Sequence, residues 1–283
     1  MRKKAEKFFT KSIPFLLFVA VMAWGLYAYL TPSAFEGAAA LFDSNFSTSL
    51  FGAVAGSGTV LLIEWVSGQY KKLALFNAVL AILTAHLDTL INTKRQFSLP
   101  HLQEILSIKK YVEDAYAFQK QTGRAVEIRL SIKQVTQQIQ ASENEFLVPI
   151  DQVSAYSGRD PRVLILLIRT KEALRALNTI IEKKNELVME MMNDHRPNDE
   201  RIPIYLGLES DGGMVDGRLQ SYCEAILETN DTALFFVIKA IKSVSNLGRN
   251  ELPFWLRWRV IDYKIEKDEI QEYLPAENYI EGW

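Results

Sequence analysis

Cysteine is nearly absent: Cys223 is the only one in 283 residues. An intramolecular disulfide is excluded, and so is a thiolate-rich metal centre, which needs several cysteines. The low count fits a reducing compartment. Histidine is almost as scarce, with His86, His101 and His195 alone. None belongs to a metal or base pattern such as H-E-x-x-H, and His86 and Asp88, two apart, would sit on different faces of a helix. A charge excess of one sign is also missing. The formal net charge of −2 leaves no global basic field to draw in nucleic acid. Walker loop, G-x-G-x-x-G, nucleophile elbow, internal repeat and low-complexity tract are all lacking. These absences argue against an enzyme, a cofactor and a bound metal.

What is there is unevenly spread. Apolar residues crowd the chain before residue 92, and most charges follow it. That asymmetry predicts a membrane part followed by a soluble part. Residues 13–30, IPFLLFVAVMAWGLYAYL, carry no charge. A helix needs roughly 20 apolar residues to cross about 30 Å of hydrocarbon. Arg2, Lys3, Lys4, Lys7 and Lys11 precede the run, and Tyr27 and Tyr29 lie at its far end, where such rings favour headgroups. A cleavable signal peptide is the competing reading. Its apolar core is usually shorter, however, and the small-residue patch Ala38–Ala40 lies far beyond the end of this run.

The second apolar run, residues 46–66, holds one ionisable group, Glu64. Gly52 and Gly58 are not followed by the lysine of a phosphate loop. The run reads as a second transmembrane helix. Gly52, Gly56 and Ser57 then form a small-residue packing face, because lipid supplies little hydrophobic force between helices and close backbone approach matters more. The bland alternative is that glycine is simply common in membrane helices. Glu64 reads either as an interfacial carboxylate paired with Lys71 or Lys72, or as one of a ring of charges at the mouth of an oligomeric pore.

The loop between the runs has Glu36 and Asp43 but no basic residue, and basic residues return at Lys71 and Lys72. The positive-inside rule puts both termini in the cytoplasm. The chain divides into a tail and two-helix hairpin over 1–68, a helical stalk or bundle helix over 69–97, and a cytoplasmic domain over 98–283. Leu73, Phe76, Leu80, Leu83, Leu87 and Leu90 repeat at alternating steps of three and four, an a/d seam. One helix from about residue 47 to 93 is predicted, roughly 70 Å long at 1.5 Å per residue. The seam serves a self-associating stalk, a bundle core or a third span. Ala74, Leu75, Ala78, Val79, Ala81 and Ile82 widen the apolar face toward a bundle, and Asn77, His86 and Asp88 argue against a span.

Beyond the stalk the expectation is mainly α-helical with a small β-sheet. Ser98 and Pro100 open a helix to about Thr122, stopped by Gly123. Val126, Ile128, Leu130 and Ile132 alternate with polar residues and predict a strand. Asp160 and Pro161 open a helix to about Asn193, with Leu167, Leu174, Ile181 and Val188 on one face. A short strand over 202–208, helices over 217–228 and 232–247 with Gly248 as the stop, and a last strand over 254–265 complete the reading. Glu209, Asp211 and Asp216 around two glycines resemble a cation loop only in composition, because the EF-hand ligand order is missing. In FWLRWRV, Trp255 and Trp258 alternate with Arg257 and Arg259. Three readings stay open for it: a strand with internal cation–π packing, a nucleic-acid surface, or a lipid-headgroup surface.

The plan as a whole resembles the two-transmembrane effectors of bacterial anti-phage systems, in particular the membrane effector encoded beside a retron reverse transcriptase. The resemblance rests on residues 13–30, 46–66 and the domain after Gln69, and no short motif carries it. It implies an inner-membrane toxin of an abortive-infection system, acting as a homo-oligomer in the lipid bilayer. Its partner would be a reverse transcriptase with its RNA–DNA product, which keeps it quiet until infection. From another class, a membrane-anchored sensor or scaffold fits the same plan. An ion transporter fits less well, since two spans supply too few intramembrane polar groups unless several subunits combine.

Overall fold

A computed structural model describes residues 45–124, 129–140, 146–157, 161–208, 217–262, 270–276 and 279–280, with their side chains described from residue 56 onward, Ser157 and Asp199 excepted. The first apolar run, the acidic glycine loop at 209–216 and Asp160 lie outside the described residues. The chain is mainly helical, and among the described residues there is no strand.

Seven α-helices are described: α1 (Asn45–Thr93), α2 (Leu99–Thr122), α3 (Ile150–Ser157), α4 (Arg162–Asn193), α5 (Asn198–Leu206), α6 (Arg218–Glu251) and α7 (Phe254–Arg257). A π-helical turn, Lys94–Ser98, joins α1 to α2. The helix expected over 47–93 is therefore one unbroken element. The helical stretch Gly56–Thr122 is long and apolar enough to cross a membrane by length and composition, and 44% of its most apolar window is buried inside the chain. The chain divides after Ala78, Val244 and Ile261 into two compact units. One joins α1 up to Ala78 with Ser245–Ile261, and the other holds Val79–Val244 and the chain from Asp262 onward.

In the second unit α2, α4, α5 and the start of α6 share a core of Ile105, Ile108, Val112, Leu187, Val188, Met191, Ile202, Leu206 and Leu219. Each such side chain contributes about 1.5–3 kcal/mol by leaving water. The helix ends follow local chemistry. Gly123 takes φ +67 and closes α2, and Gly207 takes φ +69 and closes α5. A left-handed residue of this kind costs glycine nothing and satisfies the last carbonyls. Arg201 reaches back to the carbonyls of Met191 (3.1 Å) and Asp194 (3.0 Å), satisfying the end of α4 with a guanidinium.

Several expectations are corrected. Ser98 does not cap α2: it is helical, makes no capping bond and continues the π turn. That turn brings Lys94, itself buried, to Asp231 at 2.5 Å. The two helices expected over 217–228 and 232–247 are the single α6. Its turn-like Asn230 and Asp231 are used outward instead, Asn230 donating to the carbonyl of Leu90 (3.1 Å) and Asp231 pairing with Lys94. Gly248 does not end α6; a Cβ built there would lie 3.2 Å from Cγ of Phe76, so the glycine permits close packing. The strand expected over 202–208 is mostly α5, and the last strand begins instead as α7.

The strand expected over 126–133 has a specific replacement. Residues 125–128 lie outside the described residues, and from Arg129 on the chain is irregular. Its backbone bonds go to side chains. The Glu104 carboxylate accepts from the amides of Lys133 (2.9 Å) and Val135 (2.7 Å). Asn185 exchanges two bonds with Ile139, and Lys184 donates to the carbonyl of Gln137. Helix side chains thus supply what a neighbouring strand would have offered.

Candidate functional site

The unit built on the first part of α1 gathers the residues that sequence singled out for a surface role. Pro253 precedes α7 and cannot donate to a ladder. The chain turns there through bonds from Leu256 to Pro253 (3.0 Å), Arg259 to Leu256 (3.0 Å) and Val260 to Arg257 (3.3 Å). This coiling turns FWLRWRV from a period of two to a period near four. Leu252, Leu256 and Val260 point inward and are buried. Phe254 is 53% exposed and Trp258 is 74% exposed.

Two contacts fix this hook on α1. Trp255 meets Trp65 edge-on, with ring centroids 5.7 Å apart. The Asn77 amide donates to the carbonyl of Arg259 (3.1 Å) and accepts from the amide of Ile261 (3.0 Å). Trp65 and Asn77 are twelve residues apart, so the hook follows about 18 Å of helix. Phe254 packs edge-on against Trp255 at 5.0 Å. The Arg257 guanidinium donates to the carbonyl of Leu252 (3.0 Å), so part of its role is to hold the turn. Arg259 lies over the Trp258 ring at 5.0 Å, a cation–π contact on the open side.

Above the hook, Val60, Leu61 and Ile63 are more than half exposed, at 55%, 65% and 62%. Glu64 is exposed as well. Ser57 is exposed, and a Cβ built on Gly56 or Gly58 meets no described atom within 4 Å. Gly52 lies in α1, but its surroundings fall outside the described residues. The seam behaves differently: Leu73, Phe76, Leu80, Leu83, Leu87 and Leu90 are all buried inside the chain. A seam so consumed leaves little apolar surface for a second copy. It is joined by Val79 and Ile91, while Ala74, Ala78 and Ala81 remain exposed.

The second unit holds polar groups that sequence reading passed over. Lys184 has no exposed surface, and its amine donates to the carbonyl of Gln137 at 2.5 Å. Burial pulls its pKa down to about 8, against a smaller upward pull from Cys223. His101 is 1% exposed, and among the described residues neither ring nitrogen has a hydrogen-bond partner. Burial first, and the Lys184 charge second, hold its pKa down at about 4. Burial pushes the Cys223 thiol up to about 11, so it is a poor nucleophile at neutral pH. A signal for Lys184 was present: it lies three residues after Ile181 and four before Val188, on the apolar stripe of α4. Asn77, next to Phe76 in an apolar helix, gave a similar one.

His86 is buried beside Phe146, with ring centroids 5.7 Å apart. Among the described residues no group of three or more His, Cys, Asp or Glu side chains could hold a metal ion. Comparison with protein-family models, curated proteins and solved structures finds no match to this chain, so its residues alone carry the functional reading.

Proposed function

We propose that this is a membrane effector. In this reading residues 13–30 and the first part of α1 cross a bacterial inner membrane, with both termini in the cytoplasm. The helical remainder is a cytoplasmic domain without catalytic function. A partner nucleoprotein, a reverse transcriptase with its RNA–DNA product, holds the domain quiet, and its release lets the spans of several copies assemble and perturb the bilayer. The function class comes from the architectural resemblance to anti-phage effectors.

The observation that carries the membrane part is the exposure of Val60, Leu61 and Ile63 within the apolar run 46–66 of one long helix. Contiguous apolar surface of this kind marks contact with lipid or another protein. That a Cβ on Gly56 meets no described atom within 4 Å supports assembly through the span, since a second helix could approach there closely.

The buried seam favours a second reading. A helix whose lower part belongs to its own domain core is a firm mount, so the chain would serve as a membrane-anchored sensor or scaffold. Membrane potential, followed by a voltage-sensitive dye in bacterial cells producing the chain, separates the two. Depolarisation by the wild type, lost in Gly56→Leu, is the effector outcome. If the potential holds at confirmed membrane insertion, with and without infection, the effector reading is overturned. Exchange of residues 1–68 for an unrelated two-span hairpin sharpens this, because an anchor tolerates it and an effector does not.

A further inference from the structure

We infer that the 254–259 hook is a headgroup anchor: Phe254 and Trp258 enter the interfacial layer of an anionic phospholipid leaflet, and Arg259 meets its phosphates. The inference rests on the reading that the first part of α1 spans a bilayer. Trp65 lies at the end of the apolar run 46–66, where the headgroup layer begins. Its ring contact with Trp255 places the hook at that depth. Tryptophan is favoured in this layer because its indole pairs an apolar body with an N–H donor, and Phe254 adds apolar area beside it.

The exposures match such a layer. Trp258, 74% exposed, and Phe254, 53% exposed, are large rings left in the open beside an apolar helix whose Leu61 and Ile63 are exposed too. Charge matches as well. Among its described residues this unit carries Lys71, Lys72, Arg249, Arg257 and Arg259 against two carboxylates, Glu64 and Glu251. Basic side chains beside aromatic rings at the end of a span suit an anionic surface. A nucleic-acid groove would need successive stacking rings along a wider basic track, and here the second indole, Trp255, is half-buried against Trp65.

The test uses nitroxide labels on the full chain in lipid nanodiscs. Labels are attached through Trp258→Cys, Leu61→Cys and, as a water-exposed control, Met192→Cys, which replaces a side chain 59% exposed in the other unit. Native Cys223 is buried with a raised pKa and stays unlabelled. Collision with oxygen relative to a neutral nickel chelate reports depth. The label at 258 should read as interfacial, well above the control. Adding phosphatidylglycerol to phosphatidylcholine discs should raise the docked-to-undocked equilibrium of the hook by about fivefold, the factor for one basic residue near an anionic surface, and the ratio should rise with it; Arg259→Glu should remove that rise. In parallel, brominated lipids should quench wild-type tryptophan emission more than that of Trp258→Phe.

A water-like reading at 258 in both lipids, with the label at 61 in hydrocarbon, overturns the anchor and leaves the span standing. A water-like reading at 61 removes the span and the anchor with it. Protection at 258 only when a single-stranded oligonucleotide is added also overturns the anchor, and makes the hook a nucleic-acid surface.

Discussion

The two ends of α1 have similar apolar content and opposite surroundings. Around Val60–Ile63 the apolar side chains are exposed, while from Leu73 to Leu90 the same residue types are buried. Hydropathy alone treats both as spans. The difference lies in periodicity. The lower part places its large residues on one stripe and breaks the rest with Asn77, His86 and Asp88, whereas the upper part is apolar or small all round. A stripe belongs to a protein core, and an all-round apolar helix suits lipid.

The sharpest way to break this comparison is to truncate a side chain at each end. Leu83→Ala should cost about 2–5 kcal/mol, and Phe76→Ala about 3–5 kcal/mol, because each leaves a cavity. Leu61→Ala should stay within about 0.5 kcal/mol. Urea unfolding of the detergent-solubilised chain measures all three, and equal costs at Leu61 and Leu83 would erase the distinction.

The buried unit should also respond to pH where the exposed helix does not. The folded pKa of His101, about 4, lies below its ordinary 6.5. The unfolded chain therefore takes the proton first, so stability is intact above pH 6.5 and falls as the pH drops toward 4. The loss should be about 2–3 kcal/mol, and His101→Leu should lack it. Lys184 acts at the alkaline side. Its folded pKa of about 8 lies below 10.5, so the unfolded chain holds more protons in between and stability rises with pH. The rise should reach about 1–3 kcal/mol and vanish in Lys184→Met. Cys223 works oppositely between its ordinary 9 and about 11, so the measurement belongs in a Cys223→Ala background.

A smaller effect is expected at the hook. Asn77→Ala removes two hydrogen bonds and should cost about 1–2 kcal/mol. Faster hydrogen exchange at the Ile261 amide, with the second unit unchanged, is the reading that checks it. No change at Ile261 would mean that Trp65 and the buried Leu256 suffice.

Much of the helical framework was legible. The helix from 47 to 93, the stop at Gly123 and the end of α4 near Asn193 all follow from periodicity and local caps. The misses have one physical origin: each depends on a partner remote in sequence. Alternating residues near Leu130 and in FWLRWRV do look like strands, but no neighbouring strand takes up their bonds among the described residues. Glu104, Asn185 and Asn77 take them instead. Gly248 reads as a stop until Phe76 is placed beside it. Thr229, Asn230 and Asp231 read as a turn until Leu90 and Lys94 claim two of them. At the candidate site the tryptophans and arginines were visible as types, but their place along α1 came only with Trp65 and Asn77.

The Asn77 clamp grips main-chain atoms alone. It fixes where the hook sits while remaining indifferent to the side chains the hook displays. Address and message are thereby separated. The outward positions 254, 258 and 259 are free to exchange one surface chemistry for another, with the hook's place on the helix retained throughout.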